Sequence, residues 1–120
     1  MSVETALVTL LQQVCPRVYP DVAPATAQLP YITWQHIGGT PLRFLDGASG
    51  SLRNSHIQIN TWAATRDQSM TLSRAIEDVL CAAPSVQAFV ARPLGEIIGD
   101  SDQPTDRRSS LQDFSIWGNR

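Results

Sequence analysis

The nine residues Ser55–Ala63 constrain the fold more tightly than any other part of the chain. Ile57, Ile59 and Thr61 point to one side and His56, Gln58 and Asn60 to the other, the period-two pattern of a strand with one face on a core. Such a strand needs a cover for its apolar side. The cover follows at once in the sequence. Thr65-Arg66-Asp67-Gln68 has the form of a capping box, Thr65 reaching forward and Gln68 reaching back. The helix it opens carries Leu72, Ala75, Ile76, Val79 and Ala83 on one face and stops at Pro84.

The other elements are arranged around this unit. Ser2 can cap a first helix, Glu4 complements its dipole, and Leu7, Leu10, Leu11 and Val14 give its apolar stripe before Pro16. Arg17–Pro30, rich in Pro and Ala, reads as an ordered but irregular connector. Tyr31–Ile37 is dense in β-formers and ends at Gly38-Gly39. Thr40–Arg53, with Gly47, Ser49, Gly50 and Ser51, is the most loop-like stretch, of a length usually functional or mobile. A weakly marked strand is expected between Val86 and Ile98. The last, Ser109–Trp117, alternates Phe114 and Ile116 against Asp113 and Ser115. The predicted fold class is α+β, in the order α-β-β-α-β-β. It is a two-layer sandwich with a mostly antiparallel sheet of about four strands covered by two helices. At 120 residues the chain is read as a single domain, 1–120.

Composition narrows the function classes. Charged residues make up 17% of the chain, against roughly 25% in an average soluble protein, so the surface is suited to partners. All nine basic residues are Arg, and the net charge is -2, which argues against a protein built to wrap nucleic acid. Arg favours planar, bidentate pairing with carboxylates at interfaces. The N-terminus lacks the basic region of an export signal, and the long uncharged stretch from Val22 to Leu42 is broken by Pro24, Pro30, Pro41 and Gly38-Gly39. No membrane contact is expected, and the chain reads as cytoplasmic.

Catalytic and metal motifs fail on spacing. Gly47-Ala48-Ser49-Gly50 lacks the residue a nucleophile elbow places between Ser and the second Gly, and the Lys of a phosphate-binding loop. Asp100, Asp102 and Asp106 do not fit a calcium loop, whose sixth and twelfth positions would be Thr105 and Leu111, and read as a solvated turn. His36, His56, Cys15 and Cys81 match no zinc spacing. His36 and His56 are expected as two polar residues on one sheet face. No metal, cofactor or catalytic set is assigned, and a small enzyme is the remote alternative. The candidate interface residues are Arg43, Arg53 and Arg66 around the loop and second strand, and Arg107-Arg108 before the last, since Arg is enriched at interfaces. The uncharged strand face of His56, Gln58 and Asn60 is a further candidate.

Several short signatures occur in order: Arg17-Val18-Tyr19-Pro20, Ala23-Pro24, Leu29-Pro30-Tyr31-Ile32 and Ile57-Gln58-Ile59-Asn60-Thr61-Trp62-Ala63. The helix with Leu72, Ile76, Val79 and Leu80 follows, then Arg107-Arg108-Ser109 and Phe114-Ser115-Ile116-Trp117. The succession resembles the tail terminator, or tail completion, proteins of long-tailed double-stranded DNA phages and prophages, over nearly the whole chain. The resemblance implies a structural virion protein, assembled in the bacterial host cytoplasm as a ring of six subunits on the head-proximal end of the tail. Its partners would be copies of itself, the major tail tube protein and the head–tail connector. It would stop tube growth and prepare the tail for the head; a head–tail joining role that leaves tail length alone is the alternative. Ile57, Ile59, Ile76, Phe114 and Trp117 are the expected core, and Arg43, Arg53, Arg107 and Arg108, with the 40–53 loop, the expected ring or stacking contacts.

Overall fold

The computed structural model describes residues 3–39, 52–82, 90–102 and 107–119. Helix α1 (Val3–Gln12) is followed by strands β1 (Val18–Pro20), β2 (Tyr31–His36) and β3 (Leu52–Ala63). Helix α2 (Arg66–Cys81) and strands β4 (Val90–Pro93), β5 (Ile98–Asp102) and β6 (Arg107–Asn119) complete a mixed α+β fold. Two helices are present among the described residues, as expected. The expected order and strand count need correction, because the sheet has six strands among the described residues.

The additions have local causes. Three residues of the supposed irregular connector form β1, which runs parallel to β2. Arg17 holds them there: its Nε donates to the carbonyls of Gln28 (3.1 Å) and Pro30 (2.9 Å), and a terminal nitrogen donates to Leu29 (3.5 Å). The rigid guanidinium fork suits three successive carbonyls, here bracketing the cis Leu29–Pro30 peptide. The weak strand expected between Val86 and Ile98 is β4, and a further strand, β5, begins at Ile98. Both β4 and β5 pair antiparallel with β6, β4 along Phe114–Trp117 and β5 along Arg107–Leu111. Asp100 and Asp102 therefore belong to a strand, not to a solvated turn; Asp106 lies outside the described residues.

The central ladder is long. β3 pairs with β6 from Leu52↔Asn119 to Ala63↔Arg108, and with β2 from Tyr31↔Trp62 to His36↔Ile57. Directly opposed residues share a face, so Ile32 and Trp34, Ile57 and Ile59, and Phe114 and Ile116 lie on one side. These are buried with Val3, Leu7 and Leu11 of α1 and Ile76 and Leu80 of α2. Gly39, at φ +149, follows β2, and a side chain there would collide with the Asn54 carbonyl.

Two core expectations need correction. The residues that α2 buries are Ser69, Ser73, Ile76 and Leu80; Leu72, Ala75 and Val79 are half-buried, and Ala83 lies outside the described residues. Small residues let the helix approach the sheet, and the Ser69 hydroxyl is satisfied within the helix by donating to the Arg66 carbonyl at 3.0 Å. Ser73 bonds the hydroxyls of Thr61 (3.3 Å) and Ser110, and Ser110 donates to the Ser69 carbonyl (2.9 Å). A pattern that counts only apolar positions overlooks such a seam. Trp117, expected in the core, is half-buried, because its register with Asn54 places it on the opposite face. The Thr65 hydroxyl caps α2 as read from the sequence, accepting from the Gln68 amide at 3.2 Å.

Candidate functional site

The strand alternation that places the core also builds a second surface, the sheet face turned away from the helix cores. Tyr31, Thr33 and Gln35 of β2 line it, with Asn54, His56, Gln58, Asn60 and Trp62 of β3. The β6 contribution is Ser109, Leu111, Asp113, Ser115 and Trp117. At one end Tyr31 stacks on Trp62 with ring centroids 6.1 Å apart, and Tyr19 meets Tyr31 edge to face at 6.1 Å. Trp62 Nε1 donates to Thr33 Oγ1 at 3.3 Å. Toward the middle, His56 Nε2 lies 3.0 Å from Asp113 Oδ2, and Asn54 donates to the Ser115 hydroxyl at 2.8 Å. Aromatic rings with few free charges are the composition of an interface core. His56, Gln58 and Asn60 share this face as expected, but they are half-buried, and the face is not free of charge because the Asp113 carboxylate lies on it beside His56.

The two histidines do not share a face, contrary to expectation. His36 opposes Ile57 and so lies on the helix side, where its Nδ1 is 3.8 Å from Glu4 Oε1 and its Nε2 is 2.9 Å from the Gly38 carbonyl. His56 belongs to the other side. Cys15 is buried, its thiol 3.4 Å from the Pro30 carbonyl, while Cys81 is exposed at the end of α2. Among the described residues no three His, Cys, Asp or Glu side chains gather as a metal site. No helix among the described residues is long and apolar enough to cross a membrane.

The structure distributes the candidate arginines unevenly. Arg43 lies outside the described residues, with most of the 40–53 loop; Leu52 and Arg53 open β3, Arg53 opposite Gly118. Arg107 starts β6 opposite Asp102, and Arg108, half-buried, stands opposite Ala63. Arg66 is exposed in the first turn of α2. There it lines an open hollow of roughly 610 Å³ with Asp67, Met70, Thr71 and Arg74. The register thus brings Arg66 and Arg108 to the same end of the sheet, where β3 passes into α2, and leaves Arg53 at the far end. Arg74 was not singled out from the sequence, although its spacing of two helical turns from Arg66 was visible there. Arg17, one of the signature residues, is engaged instead with the carbonyls of Gln28, Leu29 and Pro30.

Beside this geometry stand the comparisons. A family model described as "Tail completion protein gp17" matches residues 2–117. The structure of bacteriophage SPP1 gp17 protein is similar at a TM-score of 0.59 and 16% identity, covering 98% of this chain and 89% of that one. A chain in the virion of a native gene transfer agent particle is similar at 0.64 and 18%, covering 99% and 98%. At these identities the likeness concerns the fold. No curated protein sequence matches significantly.

Proposed function

The chain belongs to the tail completion protein gp17 family, and from that membership we propose that it caps the head-proximal end of a phage or prophage tail tube as a ring, stopping tube growth and readying the tail for the head. The observation that carries the reading is the family match across residues 2–117, nearly the whole chain. A virion role for a chain of the same fold in the gene transfer agent particle supports it.

The physical requirement is asymmetric. A tube elongates because each ring offers a surface unlike the one it binds with, so the next ring can add. A terminator must match the last ring on one side and fail to reproduce that surface on the other. In this reading the partners are copies of the chain, the tube protein and the head connector, and the role is structural rather than enzymatic. Arg43, Arg53, Arg66, Arg107 and Arg108 line ring or stacking contacts. Arg66 and Arg108 share one end of the sheet and Arg53 stands at the other, which suits them to two different neighbours in the stack.

The deciding experiment is electron microscopy of particles from a phage or prophage whose copy of this gene carries an early stop codon. Tails far longer than normal are expected. Free tails of normal length beside filled heads would shift the role to head–tail joining. Intact particles would sink both roles.

A further inference from the structure

The exposed large apolar side chains among the described residues are Val22, Ile37, Val90, Leu94 and Ile98. They are not scattered. Val22 follows β1 and Ile37 follows β2, on one margin of the sheet; Val90, Leu94 and Ile98 lie along β4 and β5, on the other. The register aligns the two margins. One row of partners crosses the sheet from Ile37 through His56 and Ser115 to Arg92. The adjacent row runs from Gln35 through Gln58 and Asp113 to Leu94. At the near end of that second row is Asp21, the next residue after the Pro20↔Trp34 pair.

Asp21 is held unusually. Its φ of 60 lies in the left-handed region, and the Val22 amide donates back to the Pro20 carbonyl at 2.7 Å. A non-glycine residue kept there is a place to look for function. The turn leaves Val22 81% exposed beside the Asp21 carboxylate. Across the sheet, Arg92 is exposed between Val90 and Leu94. Neither Asp21 nor Arg92 makes an ion pair within the described residues. One margin thus offers an acid next to the exposed Val22, with Ile37 further along at the end of β2, and the other a guanidinium between two aliphatic side chains.

We propose that these margins meet head to tail in neighbouring copies of this chain: Asp21, Val22 and Ile37 of one copy against Arg92, Val90 and Leu94 of the next. The inference rests on the ring reading above and gives it a subunit contact. The two margins are unlike, so the contact is heterologous, and it closes into a ring when the rotation per copy divides a full turn. Pro20 in β1 and Pro93 in β4 lack amide donors, which discourages continuation of the sheet from copy to copy. The contact is therefore made by side chains, with the Asp–Arg pair fixing its register.

The test uses the full chain in assembled particles, in a Cys81→Ser background, with Val22→Cys and Leu94→Cys introduced together and treated with a short bis-maleimide. A ladder of multiples of the 13.1 kDa chain is expected, while each variant with only one introduced cysteine stays uncrosslinked, because the remaining Cys15 is buried. In parallel, Asp21→Asn and Arg92→Gln should each weaken assembly about tenfold at unchanged melting temperature. The double variant should be no worse than either single one. Dimers from one single-cysteine variant would mean a like-with-like contact and overturn the proposal. Ring-like copy numbers per particle without the crosslink, and with additive variants, would overturn the contact and leave the ring reading standing. Particles with a single copy would overturn both.

Discussion

The two faces of one sheet are made by the same strands and solve different problems. On the helix side Ile57, Ile59, Phe114 and Ile116 are buried at 2% exposure or less, and the neighbouring polar groups are bonded within the chain, the seryl and threonyl hydroxyls to one another and to a helix carbonyl, and Gln112 to Glu77 and the Gly95 carbonyl. On the other side the alternate residues of β3 and β6 are half-buried, except Ser109, which is buried, and polar groups reach across strands in pairs such as His56–Asp113 and Asn54–Ser115. The first face holds the fold together. The second is ordered by these pairs yet stays partly accessible, which suits it to contacts outside the chain.

The largest expected effect tests that division directly. Phe114→Ala should lower the unfolding free energy by about 3–5 kcal/mol, since it empties a fully buried site between both helices and β3. Gln58→Ala, half-buried on the other face, should stay within about 0.5 kcal/mol. Urea unfolding of both variants reads the difference. Similar losses would show that the second face is also part of the core.

Next comes the hydroxyl seam. Ser73→Ala removes the hydroxyl with little other change in shape and leaves the Thr61 and Ser110 hydroxyls with fewer partners, for an expected loss of about 1–3 kcal/mol. If Ser73→Ala were neutral or stabilising, the seam would be a packing device only, and its hydrogen bonds incidental. A somewhat smaller effect is expected at the aromatic end of the open face. Trp62→Ala removes the stack on Tyr31 and the bond to Thr33, together worth about 1–2 kcal/mol. Trp62→Phe should recover most of it, because the ring contact survives while only the indole donor is lost.

The sequence made the first face legible and the second only half so. Alternation placed Ile57, Ile59, Phe114 and Ile116, and the Thr65 cap located the start of α2. Ser69 and Ser73 were hidden because serine carries no apolar signal; the Ser73 hydroxyl and the Ser69 carbonyl meet hydroxyls of β3 and β6 that are far away in sequence. β1 was hidden because three residues make no period, and its pairing is enforced by Arg17 from outside the strand. Trp117 misled as a core residue, since a large aromatic at a strand end looks the same on either face until the register with Asn54 is known. The candidate interface was less legible still. Arg66 was visible as a charge near a cap, but its pairing with Arg74 over one hollow requires the helix to be placed.

The smallest effect separates the helix side from solvent at its margin. Cys81 ends α2 with its thiol pushed above the ordinary thiol range, first by partial burial and then by the carboxylates of Glu77 and Asp78. The anion is the disfavoured form in the folded chain, so the unfolded chain gives up its proton first. This contribution is therefore fully present below the ordinary thiol range and is lost as the pH rises through that range to the higher folded value. The direct readout is alkylation of Cys81 against pH, in which the folded protein should react more slowly than the urea-unfolded chain at the same mildly alkaline pH. Glu77→Gln should bring the profile part of the way down, leaving the larger share caused by burial. A full return to the unfolded profile would instead make the carboxylate the dominant cause and place the thiol in open solvent.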